Sequence, residues 1–469
     1  MLTVDVLVVG AGLAGLHTAR LLAERHLRVL VVDRRRSLSS GVRTTGIFVR
    51  RTLDDFDLPD ALLGPGVRDV LLYPPSRRRP VHLTSDRDEY RVADMPAVYD
   101  HARRCAEAAG AQVHLGVRFA GFSAGPAGRP SGVTGPSGVT GPSGVAGLSG
   151  VSGLPGVAGL PGVAGLPGVA GRSGVAGPLG VSGLSGVAGA SAGVGGRSGV
   201  AGPSAGAVGA AAGVGAGVVR FDGAEPVRAR FVVGADGARS TVARALGLDT
   251  NRRLLVGAEV IHPTASGATV PAFHCVIDPR IAPGYLGWVI DDGRHAHIGV
   301  AGYPSAMRTG VRHLLDTFAA DAPGVTDPTG PGERRGGPIP VGGVLRQLAC
   351  PAGLLVGDAA GAVSPLTAGG LDPCLRMSEL AAEVTAEYLR TGDDHALRAY
   401  DGAALRSRFR GRLALRRLLA GITSPAAAEA AVALLRTAAG RSAASKILFG
   451  DRSFPDVHPT LTASAGPRR

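Results

Sequence analysis

Residues 4–35 read VDVLVVGAGLAGLHTARLLAERHLRVLVVDRR. Positions 4–9 form a nearly continuous apolar run, the pattern of a parallel strand covered on both faces. Gly10, Gly12 and Gly15 follow at G-x-G-x-x-G spacing. In such a turn the first glycine permits the sharp bend, the second lets a pyrophosphate approach the backbone, and the third lets helix and strand pack closely. Helical periodicity continues to Arg25, and a second apolar run ends at Asp33. The helix N-terminus offers unpaired N–H groups and a positive dipole to phosphates. A carboxylate at the end of the second strand suits the hydroxyls of an adenosine ribose. These features predict a βαβ dinucleotide-binding unit at the head of the chain.

The chain has 469 residues, enough for two domains and a sizeable core. Its 50 basic and 37 acidic side chains give a net charge of +13, yet Lys446 is the only lysine. This bias, with abundant Gly and Ala, reads as genome composition. With no basic patch interleaved with aromatics, no nucleic-acid partner is expected. Cys105, Cys275, Cys350 and Cys374 are scattered without metal-ligand spacing. They are expected to be free thiols in a reducing compartment, with no metal site. Outside the Gly-rich sequence no apolar run reaches the roughly 18 residues of a spanning helix. The expected location is cytoplasmic.

From Gly132 to Gly189 every third residue is glycine, twenty in succession. A strict Gly-X-Y period suggests collagen, but residues 132–191 hold only six prolines, below the roughly 15–20% of a triple helix. Geometry weighs more heavily. About sixty residues at about 3.1 Å each would form a rod of roughly 186 Å, which the shorter flanks cannot return across if the tract joins neighbouring strands. A flexible loop costs far less: lengthening a turn from about 5 to about 95 residues costs roughly 2.6 kcal/mol. Residues 123–217 are therefore expected to be a disordered repeat insert, with a compact bundle of polyproline-II segments as the alternative.

Elsewhere the pattern is regular. Residues 97–109 have helical spacing closed by Gly110, and Asp222-Gly223 separates two strands of a hairpin. A helix is expected from Ser240 to Leu246, β-rich sequence over 251–344, and a buried strand at 353–357. Asp372 and Pro373 suit the cap and first turn of a helix running to about Arg390. A further helical region covers 396–439.

Two more segments complete the constellation: VVGADGARSTVAR at 232–244 and LLVGDAAGAVSPLTAGGLDPCLRMSELAA at 354–382. Together with the opening unit they resemble flavoproteins with the FAD-binding fold of para-hydroxybenzoate hydroxylase, and within it the geranylgeranyl reductase branch. Asp236 and Gly237 match that family's aspartate-glycine motif. Gly357, Asp358, Pro365, Gly369 and Gly370 match its glycine-aspartate motif. Arg43 resembles a flavin-contacting arginine. The resemblance spans residues 1–122 and 218–395. It implies bound FAD, with Gly10, Gly12, Gly15, Asp33 and Asp358 among its contacts. It also implies an α/β architecture: a Rossmann-like FAD-binding domain, a β-rich substrate domain, a Gly-rich low-complexity insert and a C-terminal helical region. The FAD-binding domain would be discontinuous, formed by 1–60, 92–122, 218–250 and 345–395. Residues 61–91 and 251–344 would form the substrate domain, 123–217 the insert, and 396–469 the helical region and tail.

Departures narrow the branch. Gly361 follows Gly-Asp-Ala-Ala where aromatic hydroxylases usually carry histidine. The catalytic lysine and W-x-W-x-I-P segment of flavin halogenases have no counterpart. Pro283 and Trp288 match the reductases' aromatic segment, whereas Leu286 and Ile290 replace its other aromatics. Trp288 and Leu286 are thus candidate substrate-pocket residues, with a sheet core as the alternative place for Trp288. No second nucleotide fold follows, so NAD(P)H would bind transiently or another carrier would supply electrons. No proton donor stands out; His295 and His297 read as structural. Residues 402–428 hold six arginines and no acid among regularly spaced apolar residues, which suits either peripheral contact with an anionic membrane or an Arg-rich helical pair packed on the domain.

The implied activity is reduction of carbon–carbon double bonds in a small hydrophobic, isoprenoid-like substrate by hydride from reduced flavin. An oxygen-using hydroxylase or epoxidase is the alternative enzyme, and a non-enzymatic scaffold assembled through the Gly-X-Y tract is the alternative outside enzymes. The sequence gives no catalytic residue and no oligomeric state.

Overall fold

A computed structural model describes residues 1–124, 216–264, 271–325 and 332–449. The Gly-X-Y insert therefore lies outside the described residues, apart from the strand ends that flank it.

Strand β1 (Leu2–Val9) passes through Gly10 into helix α1 (Leu13–Ala23), and β2 (Val29–Asp33) follows. Next come β3 (Ile47–Val49), α2 (Arg50–Asp55), β4 (Asp69–Tyr73), β5 (Val81–Thr84) and β6 (Tyr90–Val92). Helix α3 (Met95–Ala108) starts on Asp94, whose side chain accepts from the Ala97 amide, and ends at Gly110 with φ 106°. Strands β7 (Gln112–Leu115) and β8 (Arg118–Ser123) lead to the insert, and β9 (Gly217–Asp222) resumes after it. Because Ser123 pairs with Val218, the two flanks of the insert are neighbours in one sheet.

Gly223, at φ 71°, turns β9 into β10 (Ala224–Gly234), and the Ser240 hydroxyl caps α4 (Thr241–Ala245). Then follow β11 (Leu254–Pro263), β12 (Ala272–Val276), β13 (Gly287–Asp291), β14 (His295–Gly302), α5 (Val311–Ala319) and β15 (Glu333–Pro340). Strands β16 (Ala349–Cys350) and β17 (Gly353–Leu355) precede α6 (Leu371–Thr391). The C-terminal helices are α7 (Asp394–Arg398), α8 (Gly402–Ser407), α9 (Arg410–Ala420), α10 (Pro425–Leu435) and α11 (Ala438–Leu448).

The first sheet runs β16-β17-β10-β1-β2-β7, with β9 against β10 and β8 against β9. Its centre is parallel: β1 pairs with β2 and β10, β2 with β7, and β10 with β17. Val6, Leu7 and Val8 are fully buried, as the unbroken apolar run requires of a central strand. Helix α1 packs against both α3 and α6.

The second sheet runs β15-β11-β14-β13-β12-β4-β5 and is antiparallel except where β12 meets β4. One of its faces packs through Val260, Ile298, Val300 and Val289 onto Leu314, Leu315 and Phe318 of α5. Across β11, β14 and β13, Glu259, Gly299 and Trp288 lie in one register row, and Ile261, His297 and Ile290 in the next. These rows occupy the face opposite α5.

The structure corrects the reading of the α6 start. Gly370 occupies the N-cap, and Asp372 is buried inside the first turn, where its carboxylate accepts from the Thr52 hydroxyl at 2.9 Å and from Arg376 Nε at 3.0 Å. Thr52 of α2 and Arg376, one turn along α6, took the aspartate that capping chemistry would have claimed. Among the described residues no helix is long and apolar enough to cross a membrane, and no group of His, Cys, Asp and Glu is suited to holding a metal.

Candidate functional site

Glycines bring the three motifs into contact. A side chain at Gly10, whose φ is 111°, would lie 2.3 Å from the Ala235 carbonyl oxygen, so the first turn rests directly on the aspartate-glycine segment. One at Gly15 would lie 1.9 Å from the Gly10 carbonyl oxygen, and one at Gly357 would meet Ala14 of α1 at 2.8 Å. Gly12 and Gly237 have no neighbour within 4 Å of the corresponding position. Gly12, at the α1 N-cap, thus leaves open space beside amides that lack helical partners. Asn251, which no sequence signal marked, ties the other two motifs together. Its Nδ2 donates to the Ala238 carbonyl at 3.1 Å and to the Asp358 carbonyl at 2.8 Å.

The three motif aspartates are in different states. Asp33 is buried and takes four protein donors: the Ala11 amide at 2.8 Å, the Arg35 amide at 2.8 Å, Arg35 Nε at 3.1 Å and Arg35 Nη2 at 2.9 Å. Burial alone would raise its pKa, but hydrogen bonds and charge from Arg35 outweigh burial and hold it below the usual carboxylate range. All four lone-pair sites of the carboxylate are occupied, so a ribose hydroxyl reaching Asp33 must displace an Arg35 bond. Asp236 holds the first turn of α4 from outside the helix: its Oδ2 accepts from Thr241 N, Thr241 Oγ1 and Val242 N at 2.6, 2.8 and 3.2 Å, while Oδ1 is buried without a partner among the described residues.

Asp358 is the opposite case. It lies partly exposed in a recess, and no protein donor among the described residues reaches its carboxylate. Desolvation pushes its carboxyl up to about 6. A side chain at Gly370 would lie 3.4 Å from Asp358 Oδ1, so the bare N-cap of α6 faces this carboxylate. Between them Ser364 N donates to the Gly369 carbonyl at 2.9 Å, closing a tight loop in which Pro365 is buried and Gly369 exposed.

Arg43 reaches the second sheet, where a side chain at Gly337 would come within 3.2 Å of its Cδ. Its pKa is lowered by burial and by the neighbouring Arg34 and Arg35. Gly337 pairs with Gly257 of β11, next to the rows that carry Glu259 and Trp288. Trp288 lies over Gly299, where a side chain would meet the indole at 2.1 Å, and its Nε1 is buried without a partner among the described residues. Leu286 is half-buried between two apolar clusters.

His297, on the same face as Trp288, is 5% exposed. Its Nε2 is 3.0 Å from Asp292 Oδ2, and its Nδ1 is 3.6 Å from Glu259 Oε1. Burial would lower its pKa, but the two carboxylates prevail and raise it to about 9. His295, at the rim, lies 3.3 Å from Asp292. Glu259 gave no signal in the sequence, because the β11–β14 register alone brings it to His297, whereas Asp292 meets the same ring from the β13–β14 turn five residues away.

Residues 5–58 match the family of FAD-dependent oxidoreductases. The matched stretch holds the opening βαβ unit of the chain. Its fold is similar to a geranylgeranyl bacteriochlorophyll reductase-like protein from Thermoplasma acidophilum, with a TM-score of 0.67 at 19% identity over 97% of this chain and 98% of that one. A probable FAD-dependent monooxygenase from Pseudomonas aeruginosa matches with a TM-score of 0.55 at 15% identity, covering 91% and 99%. In sequence the chain is 32% identical to digeranylgeranylglycerophospholipid reductase 2 of Methanopyrus kandleri over 183 residues, 37% of this chain and 46% of the relative. It is 34% identical to menaquinone reductase of Mycolicibacterium smegmatis over 183 residues, 36% and 43%. The chain thus spans somewhat less than half the length of these curated relatives.

FAD fits the residues present. The open backbone at Gly12 suits its pyrophosphate, and the donorless Asp358 carboxylate suits the hydroxyls of its ribityl chain.

Proposed function

We propose that this chain is an FAD-dependent reductase of carbon–carbon double bonds in a hydrophobic, isoprenoid-like substrate. Gly10, Gly12 and Gly15 would hold the pyrophosphate and Asp358 the ribityl side, with Gly237, Gly357, Gly369 and Gly370 keeping the backbone close. Asp33 and Asp236 would shape the turns around the cofactor, and Arg43 would approach from the edge of the second sheet. When bound, FAD supplies the hydride chemistry. The protein's own residues bind and orient. Trp288 and Leu286 would form part of the substrate wall, and His297 would fix the β11–β14 face behind it. Electrons would come from NAD(P)H bound transiently or from another carrier.

The observation that carries this reading is the donorless Asp358 carboxylate facing Gly370 where three flavin-type motifs meet. Sequence similarity to reductases named for geranylgeranyl lipids supports the substrate class. Exposed Leu418 and Leu415 on the arginine-rich α9 support peripheral contact with a lipid surface.

The test is reoxidation of the reduced flavoprotein. Under anaerobic conditions a geranylgeranyl lipid should reoxidise the flavin and gain two hydrogens per double bond, read by absorbance and product mass. Reoxidation by oxygen alone, with oxygen in the product, would replace this reading with the hydroxylase one.

A further inference from the structure

A cavity of about 270 Å³ opens between α9, α8 and the second sheet, lined by Arg253, Arg406, Arg416 and Arg417 with Tyr303 and Val341 among their neighbours. Its volume equals that of about nine water molecules in the liquid. No described carboxylate pairs with any of these four arginines. Arg406 donates to the Val344 carbonyl at 2.9 Å, and its pKa is lowered by burial and then by Arg346, Arg253 and Arg417.

Arg416 is the core of the cavity. It is 3% exposed, with its guanidinium flanked by the rings of Tyr285 and Tyr303 at 5.1 and 5.2 Å. Its Nε donates to Tyr303 Oη at 3.3 Å and its Nη2 to the Gly284 carbonyl, while Nη1 is buried without a partner among the described residues. An arginine stays charged in proteins, and a buried charge without a counter-ion is strongly disfavoured. Three further cations around it increase that cost. The arrangement is complementary to a compact dianion presented from the cavity.

The surroundings are built rather than loose. The Tyr285 hydroxyl donates to the Thr367 carbonyl at 2.6 Å, and Arg412 Nη1 donates to Ser364 Oγ at 3.0 Å. Both bonds reach the loop that runs from Asp358 to Gly369. Beside the arginines, Leu255, Tyr285, Ala301 and Val341 form a buried apolar cluster against which Trp288, Tyr303 and Leu419 pack. Cation and apolar surfaces therefore adjoin.

We propose that this cavity is a phosphate-binding site that anchors the phosphate group of a larger organic ligand, with Arg416 as its buried anchor and Arg253, Arg406 and Arg417 as its rim. Guanidinium groups meet phosphate oxygens in paired, directional hydrogen bonds. Two sources carry that chemistry: the headgroup of a phosphorylated isoprenoid and the phosphates of a nicotinamide dinucleotide.

The test is calorimetric titration of the full-length protein with inorganic pyrophosphate, at low and high salt. Saturable binding that weakens with salt is expected. Arg253→Gln and Arg417→Gln, at exposed lining positions, should each lower affinity about tenfold. Arg410→Gln, on α9 but outside the lining, should leave it unchanged, and the flavin spectrum should be the same in all three. Displacement of pyrophosphate by geranylgeranyl diphosphate would assign the site to a substrate headgroup, and displacement by NADPH to the reductant. Absence of saturable binding, or equal loss in Arg410→Gln, would overturn the site. Displacement by neither compound would reduce it to an adventitious anion site and overturn the proposal. Loss of flavin without loss of pyrophosphate binding would count against the flavin reading alone.

Discussion

Asp33 ends strand β2 and Asp358 follows strand β17 of the same sheet, and each matches a motif for the same cofactor, yet their surroundings differ. Asp33 is saturated by Ala11 and Arg35 and is held ionised. Asp358 has no protein donor among the described residues and is raised to about 6 by desolvation. One carboxylate organises the turn before any ligand arrives; the other is left with a hydrogen-bonding deficit that a ligand would satisfy. Matching a motif therefore does not fix a residue's role. The donors around it do.

The largest expected effect extends the saturated side of this comparison. His297 is held by Asp292 and Glu259, so His297→Gln should lower unfolding free energy by about 3–5 kcal/mol, as expected when one partner of a buried ion pair is removed. Because the folded pKa lies near 9 against an ordinary 6.5, the stabilisation is complete below pH 6.5 and disappears as pH rises through 9. Denaturant unfolding of wild type and variant across that window checks both size and sign. A constant difference would break the account.

Asp33→Ala comes next. It leaves the Ala11 amide and Arg35 without their acceptor, so stability should fall by about 1–3 kcal/mol, with the deficit appearing in thermal melts of the apoprotein. Equal stability of variant and wild type would show that Arg35 is not held as described.

A smaller effect concerns pH. A ligand that donates to Asp358 binds its ionised form, so FAD affinity should be constant above pH 6 and weaken below it, by at most about tenfold per pH unit. Asp358→Asn should flatten that profile. An unchanged profile in the variant would move the titration to another group.

The sequence made the parallel core legible because a strand buried on both faces is apolar throughout, and glycines forced by close approach leave fixed spacings. Gly10, Gly15 and Gly357 were readable for that reason. The polar links were not. Asn251 bridges Ala238 and Asp358, Glu259 meets His297, and Arg416 lies between Tyr285 and Tyr303; each pairing is set by packing between segments distant in the chain. Asp372 failed in the other direction: its local pattern suggested a cap, and Thr52 and Arg376 overrode it. The arginines of 402–428 read as a packed pair or a membrane face. Arg416 is buried against the second sheet, while Leu418 on the same helix is 70% exposed.

The central claim is tested most directly by titrating apoprotein with FAD in wild type, Asp358→Ala and Asp33→Ala, followed by flavin fluorescence. Loss of hydrogen bonds to a charged acceptor is worth about 1.5–3 kcal/mol. Asp358→Ala should therefore remain folded and bind FAD about 10–100-fold more weakly, with Asp33→Ala affected much less. Stoichiometric, tight FAD in Asp358→Ala would contradict the account.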